Sequence, residues 1–156
     1  MKNVVKFGLV LPDIRSCHNV GALFRTADAS GVDFLYLTGY TATPPKPQID
    51  KVSLGAEKWM PWKQYKDTVR LVKSLKAKGI KIVALEKNEQ SVDIGVADFT
   101  GPLALVVGNE VDGVDPKILA LADTIVHIPM RGKKESLNVS IAAGIAMYMI
   151  GESLQS

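Results

Sequence analysis

The sequence predicts an α/β protein built on a mostly parallel sheet with helices on both faces. Three observations lead there. Segments with strand and helix patterns alternate along the chain. Most strand candidates are continuous apolar runs, as expected of strands buried on both faces, and do not alternate in and out. Glycine, proline and capping residues punctuate the segments at spacings suited to βα units.

Val4 to Leu11 is an apolar run closed by Pro12 and reads as the first strand. Asn19 to Ser30 reads as a helix: Asn19 is a candidate N-cap, Val20, Leu23, Phe24 and Ala27 make an apolar stripe, and Gly31 is a stop. Asp33 to Leu37 is a short strand. Thr38 to Trp62, with Thr41-Ala-Thr-Pro-Pro-Lys-Pro inside it, reads as an irregular excursion from the core. Tyr65 to Lys78 is an amphipathic helix with Val69, Val72 and Leu75 inward, ended at Gly79. Lys81 to Leu85 and Leu103 to Val107 are strands. Asp115-Pro116 caps and opens a helix to Ala122, because proline at the first helical position lacks only an N–H the helix cannot use. Thr124 to Ile128 is the last strand and Asn138 to Glu152 the last helix, which Asn138 can cap. Ile141, Ala142, Ile145, Ala146, Met149 and Ile150 leave that helix almost no polar face, which suits either burial or dimerisation.

A length of 156 residues suits one domain, spanning 1–156. The hydrophobic fraction of 47% and the charged fraction of 22% are ordinary for a globular protein. No apolar run is long enough to span a bilayer, and Met1-Lys-Asn-Val-Val-Lys lacks a secretory signal's apolar core, so a cytoplasmic location is expected. Cys17 is the only cysteine, which rules out an intrachain disulfide or a thiolate cluster. His18 and His127 have no ligand partner at a useful spacing, so no metal site is expected. The net charge of +3 permits a polyanionic partner without requiring one. Arg15, Arg25, Lys46, Lys58, Lys63, Arg131, Lys133 and Lys134 fall in or beside predicted loops or motif segments. Singly they are solvated lysines and arginines; together they flank three segments that carry chemistry.

The most informative segment runs from Ile128-Pro-Met-Arg-Gly through Ser136-Leu-Asn-Val-Ser to Tyr148. A strand stops at a proline, a basic loop follows, and Ser136-Leu137-Asn138 opens an apolar helix. Free backbone N–H groups at such a helix start can bind a polar ligand, and apolar neighbours can wall a flat molecule. The other two segments are Asn19-Val-Gly-Ala-Leu-Phe-Arg25 and Gly108-Asn-Glu-Val-Asp-Gly113. Read alone, Asn19 is a helix cap, Arg25 pairs with Asp28 at i, i+3 spacing, and Glu110 is a solvated acid in a turn.

Taken in order, these segments resemble the three signature motifs of the SpoU-type RNA ribose 2′-O-methyltransferases of the SPOUT superfamily. The matches are N-x-G-x-x-x-R through Asn19, Gly21 and Arg25; G-N-E-x-x-G through Gly108, Asn109, Glu110 and Gly113; and I-P-M-x-G…S-L-N-V-S through Ile128 to Ser140. They span nearly the whole chain. The resemblance implies a C-terminal deep trefoil knot, which no pattern in the sequence suggests, together with a homodimer. Many members carry extensions around the catalytic core, whereas this chain is close to the core alone, so no appended RNA-binding domain is expected. It implies S-adenosylmethionine as cofactor, held by the loops at Leu85-Glu-Lys, Gly108-Asn-Glu and Ile128 to Leu137. Leu85 and Gly108 belong to that site, and Ile128, Met130 and Leu137 wall the adenine. Gly8 and Gly21 form no G-x-G-x-x-G fingerprint, which counts against a standard dinucleotide site.

For catalysis the resemblance points to Arg25, Asn19, Glu110, Ser136 and Asn138. A guanidinium stays protonated at ordinary pH, so Arg25 suits gripping a phosphate and stabilising a developing alkoxide. Glu110 is the second candidate for handling the proton. The substrate implied is structured RNA, transfer RNA ahead of ribosomal RNA by analogy with short members. A non-catalytic RNA-binding protein on the same fold and a flavodoxin-like carrier are the alternatives. Trp59-Met-Pro-Trp62 beside Lys58 suits either base stacking or pinning of the long loop.

Overall fold

The computed structural model describes residues 5–155. Its elements are β1 (Phe7–Pro12), α1 (Cys17–Ser30), β2 (Phe34–Thr38), α2 (Pro47–Ser53), a 3-10 turn at Ala56–Lys58, β3 (Trp62–Tyr65), α3 (Thr68–Ala77), β4 (Lys81–Leu85), β5 (Val92–Asp93), β6 (Leu103–Val106), α4 (Pro116–Leu121), β7 (Thr124–His127) and α5 (Val139–Gln155). The strands form one sheet in the order β3-β2-β1-β6-β4-β7-β5. Every pairing is parallel.

Alternation along each buried strand divides the core in two. Phe7, Leu9 and Leu11 of β1 pack in one cluster with α1 and α5, while Val10 packs in a second cluster with α3 and α4. Helices therefore cover both faces, as expected. The stripe of Val20, Leu23, Phe24 and Ala27 anchors α1, each residue being fully buried, and the larger ones contribute about 1.5–3 kcal/mol apiece. Gly31 ends the helix at φ 86, a left-handed position that favours glycine.

Several boundaries differ from the sequence reading. Helix α1 starts at Cys17, and Ser16 is its cap: the Ser16 side chain accepts the Asn19 backbone N–H. Asn19 is thus inside the first turn and is not the cap. The stretch from Thr38 to Trp62 is not irregular throughout. It carries α2, which packs on α1 with Ile49 buried, and the 3-10 turn. Gly21 permits that packing, since a Cβ there would lie 2.6 Å from the Ile49 carbonyl oxygen and 2.9 Å from Val52 Cβ. Tyr65 ends the edge strand β3, and α3 begins at Thr68 with Asp67 as its cap. The two-residue strand β5 carried too little pattern to be predicted. The expected start of the first strand at Val4 lies outside the described residues.

Helix α5 divides its apolar residues between two environments. Ala143, Ala146, Met147 and Ile150 are buried, whereas Ile141, Ile145 and Tyr148 are 55%, 37% and 62% exposed at i, i+4, i+7 spacing. Among the described residues no helix is long and apolar enough to cross a membrane.

Candidate active site

In an open parallel sheet, ligand sites form beyond the carboxyl ends of the strands, where loops diverge. Here a cavity of about 610 Å³ lies beyond β4, β6 and β7. Its walls are Leu85-Glu86-Lys87, the loop from Val107 to Gly113, and the segment from His127 through Leu137 to Ala142 at the start of α5. Leu85, Gly108, Ile128, Met130 and Leu137 all line it, as do Glu110, Ser136 and Asn138. Asn19 and Arg25 do not.

The loop after β6 is shaped by its own backbone. A Cβ on Gly108 would collide with the Gly113 carbonyl carbon, and would lie 2.6 Å from Gly113 Cα and from the Val114 nitrogen. Glycine at 108 therefore allows the loop to close on itself before any ligand arrives. Asn109 Oδ1 accepts the N–H groups of Val111 and Asp112, at 3.0 and 2.6 Å, which tightens the turn. Gly113 sits at φ 71, the left-handed region. Glu86, just past β4, accepts the Val114 N–H at 2.8 Å and so ties this loop to its neighbour. The sequence reading included Glu86 in the Leu85-Glu-Lys loop but gave it no role of its own, although an acid directly after a buried strand was a visible signal.

Asn19 connects the three motif segments. Its Nδ2 donates to Glu110 Oε1 at 3.4 Å, and Asn138 Nδ2 donates to Asn19 Oδ1 at 3.5 Å, both long contacts. Glu110 also accepts the Arg15 backbone N–H on both oxygens at 3.1 Å. Asn138 caps α5 as expected, its Oδ1 accepting the Ser140 N–H at 2.8 Å. Because Ser16 caps α1, the Asn19 side chain is free to link residues 91 and 119 positions away. Asn19 is 6% exposed, so its amide is preorganised.

Arg25 is placed differently. It is exposed, and six residues on from Asn19 it lies about 9 Å along the axis on another side of the helix. The i, i+3 pair with Asp28 does not form among the described residues; Asp28 accepts the Trp59 indole N–H at 3.0 Å instead. That bond pins the long connection to α1 while the Trp59 ring stays 60% exposed. Thr26, next to Arg25, packs against Gly144 of α5, beside the exposed stripe of Ile141, Ile145 and Tyr148.

His127 lines the cavity and exchanges a 2.9 Å hydrogen bond with Ser91 through Nδ1, a local structural contact. Cavity-lining Glu86, Glu110 and Glu135 outnumber Lys87, which gives the walls an acidic character. Arg15 stands at the rim. Its Nε donates to the Tyr40 hydroxyl at 3.2 Å, and that bond raises its already high pKa.

The family model described as "SpoU rRNA Methylase family" matches residues 6–148. The chain belongs to this family. Among curated relatives it is 40% identical over 137 residues to the tRNA (guanosine(18)-2′-O)-methyltransferase of Aquifex aeolicus, covering 87% of this chain and 64% of that protein. Among solved structures, the AdoMet-bound rRNA methyltransferase from Sinorhizobium meliloti superimposes with a TM-score of 0.89 at 29% identity, covering 97% of this chain and 57% of that one. A structure described as giving insight into the 2-OH methylation of C/U34 on tRNA matches with a TM-score of 0.84 at 25% identity, covering 96% of both chains. This SpoU-family chain thus spans less than two thirds of the Aquifex relative's length. The cavity-lining residues, from Leu85 to Ala142, lie within the segment that the family model matches.

Proposed function

We propose that this SpoU-family protein transfers a methyl group from S-adenosylmethionine to a ribose 2′-hydroxyl in structured RNA. One observation carries the reading: the three motif segments, far apart in sequence, meet at one cavity through the Asn138–Asn19–Glu110 chain. The cavity fits the cofactor chemically. Leu85, Ile128, Met130 and Leu137 can enclose an adenine, backbone groups of the loop from Gly108 can bind its polar edges, and the acidic walls suit a ligand with cationic centres. When bound, S-adenosylmethionine supplies an electrophilic methyl group and its own leaving group.

The protein's work is then alignment and charge stabilisation. Asn138, which lines the cavity, presents its amide to the ribose, and buried Asn19 holds that side chain in place. Ser136, on the exposed loop, adds a hydroxyl there. Glu110, braced by Arg15 and Asn19, holds their geometry, and the hydroxyl proton leaves to water or phosphate. Arg25 grips a phosphate next to the ribose and stabilises the alkoxide as it develops.

Arg25 does not line its own subunit's cavity, and it is exposed. The exposed stripe of Ile141, Ile145 and Tyr148 begins at the cavity rim, where Ala142 lines the wall. A second copy seated on that stripe by two-fold symmetry would bring its Arg25, which lies beside the same stripe, to the first copy's cavity. The active unit is therefore a homodimer with composite sites, each protomer using residues 1–156 as one methyltransferase domain. Family membership supports a knotted threading of the segment after β7. The reading assigns the protein to the cytoplasm, with its RNA. Transfer RNA is favoured over ribosomal RNA as substrate, supported by the Aquifex relative and by the match that covers 96% of both chains.

The test is methyl transfer from labelled S-adenosylmethionine to total RNA from cells lacking the gene, followed by digestion to nucleosides. Label is expected in a 2′-O-methylated nucleoside. Label on a base contradicts the reading, and tight RNA binding without transfer favours a non-catalytic binder on this fold.

A further inference from the structure

Beside the cavity, and outside it, the loops after β1 and β2 present an exposed aromatic ring and an exposed guanidinium together. We propose that Tyr40 and Arg15 form a subsite for an unstacked nucleotide flanking the target ribose, with the Tyr40 ring stacking on the base and the Arg15 guanidinium holding its phosphate. This rests on the RNA methyltransferase reading above and extends it to which part of the RNA the protein grips.

Tyr40 is 56% exposed, and the Arg15 guanidinium carbon lies 5.9 Å from its ring centroid. Arg15 Nε donates to the Tyr40 hydroxyl, which orients the exposed guanidinium. Among the described residues no carboxylate forms an ion pair with it. A cation with no carboxylate ion-paired to it among the described residues, beside an exposed aromatic ring, is the chemistry that single-stranded nucleic acid takes, a base on the ring and a phosphate on the charge.

The pair does not explain the loop's structure, which is already held from beneath. Asp13 N–H donates to the Thr38 carbonyl at 3.1 Å, and Tyr40 N–H to Asp13 Oδ1 at 3.0 Å. Ile14 N–H donates to Thr41 Oγ1 at 2.8 Å, and that hydroxyl donates to the Leu11 carbonyl at 2.7 Å, with Thr41 buried. The surface residues thus stand on a fixed platform. Its link to the reaction centre is the Arg15 backbone N–H on cavity-lining Glu110, which sets the Arg15–Tyr40 pair next to the cavity.

The experiment measures steady-state methyl transfer, and separately filter binding without cofactor, using total RNA from cells lacking the gene. Tyr40→Ala is expected to raise KM for RNA about tenfold, the range for losing one stacked base, with the effect on KM rather than kcat. Tyr40→Phe keeps the ring and is expected to restore KM. Arg15→Ala leaves the backbone bond to Glu110 in place, and is expected to weaken RNA binding and flatten its salt dependence. An unchanged KM in Tyr40→Ala, a fall in kcat alone, or a Phe variant as impaired as Ala would overturn the proposal. Should the wild type transfer no methyl group at all, the methyltransferase reading fails while the binding arm still decides the subsite: equal RNA affinity for wild type and Tyr40→Ala overturns it.

Discussion

The two ends of α1 are built to opposite specifications. At its start, Ser16 caps the helix, Asn19 is buried and reaches two other motif segments, and Gly21 is pressed against α2. Two turns on, Arg25 is exposed, free of its expected Asp28 partner, and outside the cavity. One short motif therefore serves three physical purposes: hub, packing contact and a cation with no ion pair among the described residues. The lesson is that residues close in sequence and equally diagnostic of the family need not act at the same place in one subunit.

Substitutions along this helix should separate those purposes. Arg25→Ala should have the largest effect on chemistry, lowering methyl transfer at least a hundredfold, or about 3 kcal/mol of transition-state stabilisation. Calorimetry should show nearly unchanged S-adenosylmethionine affinity, and Arg25→Lys should rescue little because an ammonium cannot grip a phosphate at two points. Gly21→Val should act on stability, since its side chain would collide with the Ile49 carbonyl and Val52. A loss of about 1–3 kcal/mol in denaturant unfolding is expected. Asn19→Ala should cut the link between Glu110 and Asn138, slowing turnover about tenfold, or about 1.4 kcal/mol, with single-turnover kinetics as the readout. Ser16→Ala should cost about 1 kcal/mol of stability by thermal melting, as a lost cap does. A rate loss in Arg25→Ala accompanied by an equal loss of stability would erase the contrast.

The sequence made much of this legible, for identifiable reasons. Strands buried on both faces leave continuous apolar runs, so β1, β4 and β6 were visible, and Gly31 and Asp115-Pro116 marked helix ends. The two edge strands were missed. Trp62–Tyr65 is half exposed, and Val92–Asp93 is too short for periodicity to register. The α2 helix was hidden within a proline-rich stretch because its only deep anchors are Ile49 and Ser53. At the site, cavity residues such as Leu85, Gly108 and Met130 were recoverable through the motif resemblance. Asn19 was mistaken for a cap because Ser16, three residues earlier, offers the same chemistry to the helix start. The role of Gly108 also shifted, from approach to a ligand to approach to Gly113 of its own loop. The split of α5 into buried and exposed apolar faces could not be read from composition, since both faces use the same residue types.

The central claim is that the cavity of one subunit is completed by Arg25 of another. Co-expression of Arg25→Ala and Gly108→Ala chains bearing different affinity tags, with tandem purification, yields mixed dimers. Each parent should be inactive, the first without its cation and the second with its β6 loop disrupted. The mixed dimer contains one intact composite site, so methyl transfer to RNA is expected to return to about half the wild-type rate per dimer, by the two-fold symmetry of such an assembly. A mixed dimer as inactive as its parents would contradict the account, and would place Arg25 at the cavity of its own subunit.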